Sequence, residues 1–379
     1  MFSRLWRWAV PNQAAVPKHA AVPTIAVKAE PQGRPNEPMR QSSAVTTPPT
    51  GEEPQAARAG TPAQRGGRSE EAPFFEQLEL DLPGVAAVPS RDEPLITELV
   101  MRVVAYVRQK KVDPPVVPAL VPRVLAIVGE PEVDLVRLSQ VIQQDLAISA
   151  KLLSVANSAL FGGQTEITTV RQAISHLGTE QVAQVAIGLA CRSSLESGAA
   201  GESPFAARWK RLFHHAMTCA FAAAHLAGKT DREAQESAFL GGLFHDVGKA
   251  VALRAIEALI ESGQLIPLDD AVIDEALQRI HAYPGDEFYE KWTLPESLMQ
   301  LCAGHHQLDD VGDLQRNFYL VSLISSFDAL LRGDDSERRD ALKEARQCAD
   351  RLGLSEPAAR AAYDETKKIG ERTLRMFGS

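Results

Sequence analysis

Proline divides this chain into two regimes. Thirteen of its 24 prolines fall in the first 90 residues, among Ala, Gln, Gly, Thr and Ser. Proline removes amide donors and blocks helix propagation, and few large apolar residues remain there to build a core. Residues 1–92 therefore read as a disordered, polyproline-like tether. From Leu95 onward apolar residues recur at helical spacing almost without interruption, and no run alternates as a strand would. The expected fold is all-α, a multi-helix bundle behind a disordered amino-terminal region.

Inside the tether, Phe74 to Leu80 forms a short apolar and acidic island that reads as incidental residual structure rather than as a docking motif. A leading helix is expected within residues 93–116, carrying Leu99, Val103 and Val107 on one face and closed by Lys110 and Lys111. Asp134 is placed to cap a helix that repeats Leu135, Leu138, Val141 and Ile142. A further helix runs from about Ala147 to Asn157-Ser158, whose side chains suit a helix-end cap better than a ligand groove. Gly178 should hinge two helical runs between Thr169 and Leu195. More helices fill 204–227, 232–244, 271–281, 295–302 and 314–331. Residues 311–379 complete or flank the bundle, with two amphipathic stretches separated by Gly353 and Pro357. Lys367, Lys368, Arg372 and Arg375 read as a solvated face.

The net charge of −9 argues against a general nucleic-acid binder, because phosphate neutralisation needs clustered cations. No stretch offers about 18 apolar residues free of charge, so no membrane span is expected. Cys191, Cys219, Cys302 and Cys348 are far apart and form no CxxC pair, which points to a reducing compartment and hence the cytoplasm.

The chemistry concentrates in Phe244-His245-Asp246-Val247-Gly248-Lys249, with His215 upstream and His281, His305, His306 and Asp328 downstream. Neutral imidazole and carboxylate are good ligands for borderline divalent metals such as iron, manganese or zinc. Neighbouring His245 and Asp246 would point about 100° apart on a helix, one reaching a first ion while the other bridges or anchors a hydroxide. Lys249 would then contact a phosphate oxygen. Cys219, one turn after His215, reads as a small core residue rather than a soft ligand, and Trp292 as a packing anchor with Pro295 opening the next helix.

The string Gly241 to Lys249 resembles the signature of the HD superfamily of metal-dependent phosphohydrolases. Leu152 to Ala159, with Ala173 to Gly178, is similar to the amino-terminal half of the HDOD family. His281-x-x-x-Gly285, Trp292-x-Leu294-Pro295 and Gly304-His305-His306 are similar to its second half. The resemblance covers residues 117–310. It implies a helical regulatory module of bacterial signalling proteins that acts through protein contacts with an unidentified signalling partner, and that could respond to a nucleotide. The alternative it implies is a phosphohydrolase, for instance a cyclic-dinucleotide phosphodiesterase. His215, His245, Asp246 and Asp328 match a first metal site, and His281, His305 and His306 match the additional histidines of a second. Hence one or two divalent ions are expected. After His306 the chain reads Gln307-Leu308-Asp309-Asp310, without the Gly-Tyr-Pro loop of the cyclic-dinucleotide phosphodiesterases.

Overall fold

A computed structural model describes residues 73–82, 92–109, 118–130, 132–158, 161, 166–196, 204–228, 232–280, 315–333 and 335–377. Every regular element among them is an α-helix, as the helical spacing predicts. In chain order these are α1 (Phe74–Asp81), α2 (Glu93–Arg108), α3 (Leu120–Val128), α4 (Leu135–Gln143), α5 (Leu146–Ala156), α6 (Val170–Leu177) and α7 (Thr179–Glu196). They continue with α8 (Ala206–Ala227), α9 (Arg232–Phe244), α10 (Val247–Glu261), α11 (Asp270–Ile280), α12 (Gln315–Arg332), α13 (Asp335–Arg351) and α14 (Glu356–Phe377). No helix among the described residues is long and apolar enough to cross a membrane. Most of the tether, the Lys110-Lys111 helix end and the Trp292–Pro295 motif lie outside the described residues.

Side chains that satisfy the free amides of the first turn start several helices. Asp134 accepts from the amides of Val136 and Arg137, starting α4. Asp145 accepts from Ile148 at the head of α5. Thr169 and Gln172 form a reciprocal capping box on α6. Gly178, at φ 88°, ends α6 and lets α7 start at the next residue. Asn157 does more than cap α5. Its amide donates to the carbonyls of Leu153 and Ile167, and its Oδ1 accepts from the Ile167 amide, so it staples the helix end to a chain segment ten residues on.

Two apolar cores result. The larger gathers α1, α3 to α9 and α12 to α14, with Leu138, Leu152, Ile187, Met217, Phe239, Phe318 and Phe327 fully enclosed. The smaller gathers α2, α10 and α11 around Trp209 at the start of α8. Trp209 donates from its indole to Glu257 of α10 at 3.0 Å, and Arg208 pairs with Asp270 and Asp274 of α11 at 2.9 and 2.7 Å. Only two described stretches pass from one core into the other. Along α8 the change falls between Trp209 and Phe213, and at the head of α10 between Val247 and Ala250. His215 follows the first crossing closely, and His245 and Asp246 directly precede the second.

The Phe74–Leu80 island differs from its expected character. It forms α1, with Phe74 and Phe75 each only 5% exposed. A helix of this length is marginal alone in water. Burying two phenyl rings is worth roughly 1.5–3 kcal/mol each, and that supplies what local propensity cannot.

Candidate metal centre

His245 and Asp246 do not lie on a helix as anticipated. They form the two-residue turn between α9, which ends at Phe244, and α10, which starts at Val247. Gly242, three residues before His245, brings this turn to its place. A Cβ at Gly242 would stand 2.5 Å from the Cys219 carbonyl carbon and 2.6 Å from the Ala220 nitrogen. Only glycine lets α9 press against the backbone of α8, and that approach carries His245 onto His215.

The two imidazoles meet through their Nε2 atoms, 3.0 Å apart. Each ring is oriented from its other nitrogen. His245 Nδ1 donates to the Gly242 carbonyl at 2.8 Å, and His215 Nδ1 donates to Asp328 Oδ2 at 2.7 Å. Both partners are acceptors, so both rings carry their hydrogen on Nδ1 and present a lone pair at Nε2. The Ser325 hydroxyl lies 3.2 Å from one Nε2 and 3.4 Å from the other, and can donate to one of them only. Two facing lone pairs at this distance repel unless a cation lies between them. That cation is either a proton or a metal ion.

Asp246 Oδ2 completes the cluster, 3.3 Å from His215 Nε2 and 3.7 Å from His245 Nε2. Around an ion with bonds of about 2.1 Å, neighbouring donors stand roughly 3.0 Å apart at right angles and roughly 3.4 Å apart in a tetrahedron. The three donor atoms are spaced accordingly, so the set fits one divalent ion. Cys219 Sγ, 3.8 Å from His215 Nε2, belongs to the group of ligand atoms within reach. Burial raises its thiol, so the sulfur is protonated in the metal-free site, and coordination would require an ion to displace that proton.

The remaining predicted residues take positions of their own. Asp328 reaches the far side of His215, where it meets Nδ1, and Arg332 one turn on is paired with its other oxygen. A carboxylate in this place fixes the tautomer of a ligating histidine and raises its basicity. Lys249 Nζ is paired with Asp246 Oδ2 at 2.7 Å. Burial opposes its charge, but Asp246 more than restores it, so the ammonium is retained. Burial also works against a charge on His215. The Cys219 sulfur and the Asp246 and Asp328 carboxylates outweigh it, so the imidazole titrates well above its ordinary value. With Cys219 protonated, the two carboxylates carry that effect. Residues His281, His305 and His306 lie outside the described residues.

Sequence reasoning overlooked four participants: Ser325, Arg332, Thr218 and the Gly242 carbonyl. Arg332 also donates to Thr218 at 2.8 Å, and Thr218 shares a hydrogen bond with Thr373 of α14 at 3.1 Å. The i,i+4 spacing of Asp328 and Arg332 was the one available signal.

This fold recurs in solved structures. An HDOD domain protein with unknown function from Geobacter sulfurreducens aligns with a TM-score of 0.52 at 18% identity, over 73% of this chain and 98% of that one. A Shewanella amazonensis SB2B protein, described as a candidate metal-dependent phosphohydrolase, aligns with a TM-score of 0.51 at 17% identity, over 73% and 99%. An uncharacterized protein of Treponema pallidum (strain Nichols) is 24% identical over 213 residues. That match takes in 53% of this chain and spans only 39% of the relative's length. The HDOD domain model matches residues 115–308, which include the α8–α10 site and half of the full sequence. The chain belongs to the HDOD family.

Proposed function

We propose that the protein is a regulatory or scaffold component of bacterial signal transduction that acts through its HDOD domain by contact with a partner protein. In this reading His215, His245 and Asp246 hold one divalent ion of the iron, manganese or zinc kind, and Asp328 orients His215. The observation that carries it is inwardness. His245 is 0% and Asp246 3% exposed, against 19% for the His215 side chain, and Lys249 is paired with Asp246 at 2.7 Å. A hydrolytic metal needs a coordination position open to water and substrate. An ion held chiefly by the inward-facing His245 and Asp246 would serve instead to join helices.

The second reading, a metal-dependent phosphohydrolase acting on a cyclic dinucleotide, is favoured by the spacing of the three donors. In that case His281, His305 and His306 would supply a second site, and Lys249 would have to leave Asp246 to meet phosphate.

The two are separated by protein purified without a histidine tag and by its His245→Ala and Asp246→Ala variants. Metal content and hydrolysis of cyclic dinucleotides with added Mn²⁺ are measured on all three. The regulatory reading expects about one ion per chain, lost in both variants, and no turnover above that of the variants. Turnover by the parent that both substitutions abolish would overturn it.

A further inference from the structure

Helix α1 is bordered in sequence by the proline-rich residues 11–73 on one side and by residues 83–91 on the other. Its docking is nonetheless specific. Phe74 meets Phe327 of α12 edge-on, with ring centres 6.3 Å apart, and Tyr363 of α14 at 5.5 Å. Arg360 lies over the Phe74 ring at 5.3 Å and also donates to Gln77. Arg346 of α13 lies over the Phe75 ring at 5.7 Å and pairs with Glu79 at 3.5 Å. Each arginine thus reads an aromatic face and a polar side chain three or four residues on, a combination that only a helix presents on one side. The segment Phe74–Asp81 carries three carboxylates and no cation, matching the two arginines in sign. Its outer side stays in water, with Leu80 81% exposed.

From this we infer that Phe327, Tyr363, Arg346 and Arg360 form a docking site for a helical peptide bearing adjacent aromatic residues and a following acidic side chain. Residues 74–81 are its built-in occupant, and they exchange with an external segment of the same chemistry. The segment can leave without unravelling the bundle, because α12, α13 and α14 keep the rest of the larger core, including Phe318, Cys348 and Ile369. The inference is independent of whether the histidine site holds metal. Phe327 nevertheless directly precedes Asp328, so the occupant rests on the helix that orients His215.

The test uses the full chain and a synthetic peptide of residues 73–82 with blocked ends. In the Phe74→Ala/Phe75→Ala variant the site is vacated, and the labelled peptide should bind. In the parent the tethered copy competes at a millimolar effective concentration, so a peptide with a Kd of about 10 μM should bind roughly 100-fold more weakly. Adding Arg360→Glu to the vacated variant should abolish binding. Hydrogen exchange on the parent gives a readout that needs no variant. Residues 74–81 should exchange by local opening, well ahead of α12 and α14, and millimolar peptide should accelerate their exchange further. Absence of peptide binding to a vacated variant whose other helices keep their protection would overturn the inference. So would exchange of 74–81 only in step with the whole chain.

Discussion

Gly242→Ala tests how the site is assembled. The new Cβ would enter at 2.5 Å from the Cys219 carbonyl carbon and 2.6 Å from both the Cys219 oxygen and the Ala220 nitrogen. Carbon contacts are comfortable at about 3.5 Å or more, so α9 has to retreat from α8 by about 1 Å. The obstacle is backbone, which cannot swing aside as a flexible side chain would. Overpacking of this kind costs typically 1–3 kcal/mol, and helix propensity returns about 1 kcal/mol on replacing glycine by alanine. The net loss is about 0–2 kcal/mol, or a Tm drop of up to roughly 6 °C for a folded unit of this size. The same retreat stretches the 3.0 Å gap between His215 and His245 past the separation that adjacent ligands of one ion adopt. Bound metal should fall at least about tenfold. Thermal melts in EDTA and in Mn²⁺, with metal analysis, read both effects. Gly129→Ala is the control, since its Cβ would meet only the Leu125 oxygen at 3.2 Å. A Gly242→Ala protein with its metal content intact would refute the close approach as the device that builds the site.

Lys249→Met should destabilise the metal-free protein by about 3 kcal/mol, because it leaves the Asp246 carboxylate buried without its 2.7 Å partner. It should also enlarge the Tm rise on adding Mn²⁺, since the ion then supplies the missing charge; equal metal shifts in parent and variant would contradict this. Asn157→Ala should cost about 1–3 kcal/mol by unpairing the Ile167 amide and carbonyl, measured by urea denaturation. Glu93, held below its ordinary carboxylate range chiefly by its hydrogen bonds to Arg279, pins α2 to α11 at 2.6 and 2.9 Å. Because its folded pKa is depressed, its contribution is full above the unfolded value near 4.3 and disappears as pH falls through the folded one. Glu93→Gln should therefore lower the Tm slightly at pH 7, by the equivalent of under about 1 kcal/mol for so exposed a pair, and the difference should close towards pH 3.

Much of the bundle was legible because helix ends are written in local chemistry. Asp134 and Gly178 act at the positions where they were read, with no help from distant residues. Two helices escaped notice for physical reasons. Helix α10 is buried on most sides, and between Val247 and Leu259 only Lys249, Arg254 and Glu257 are charged, too sparse a set to make the helical period stand out. Helix α3 carries Pro122 in its first turn, where proline is tolerated but reads as a breaker. The α1 segment was misjudged because its stability resides in α12–α14 and not in itself. At the site, His215 and Asp328 stand 113 residues apart, and no spacing rule joins them; family resemblance did. The Gly242 carbonyl and Ser325 could not have been found that way, since their part depends on where α9 and α12 come to lie.

In the proposed regulatory role, the position of the site matters as much as its chemistry. His215 and the His245-Asp246 turn lie beside the two crossings between the cores, so whatever cation separates their lone pairs also sets the distance between α8 and the α9–α10 junction. Removing it leaves two outcomes. His215 takes up a proton and donates to His245, or the facing nitrogens push apart and the junction moves. Asp328 is held by Arg332, which reaches Thr218 and through it Thr373, so a continuous chain of hydrogen bonds links His215 to α12 and α14. A ligand shifts a conformational equilibrium only by its differential affinity for the two arrangements. An ion that binds one spacing of these two imidazoles and not the other would have such a differential built in.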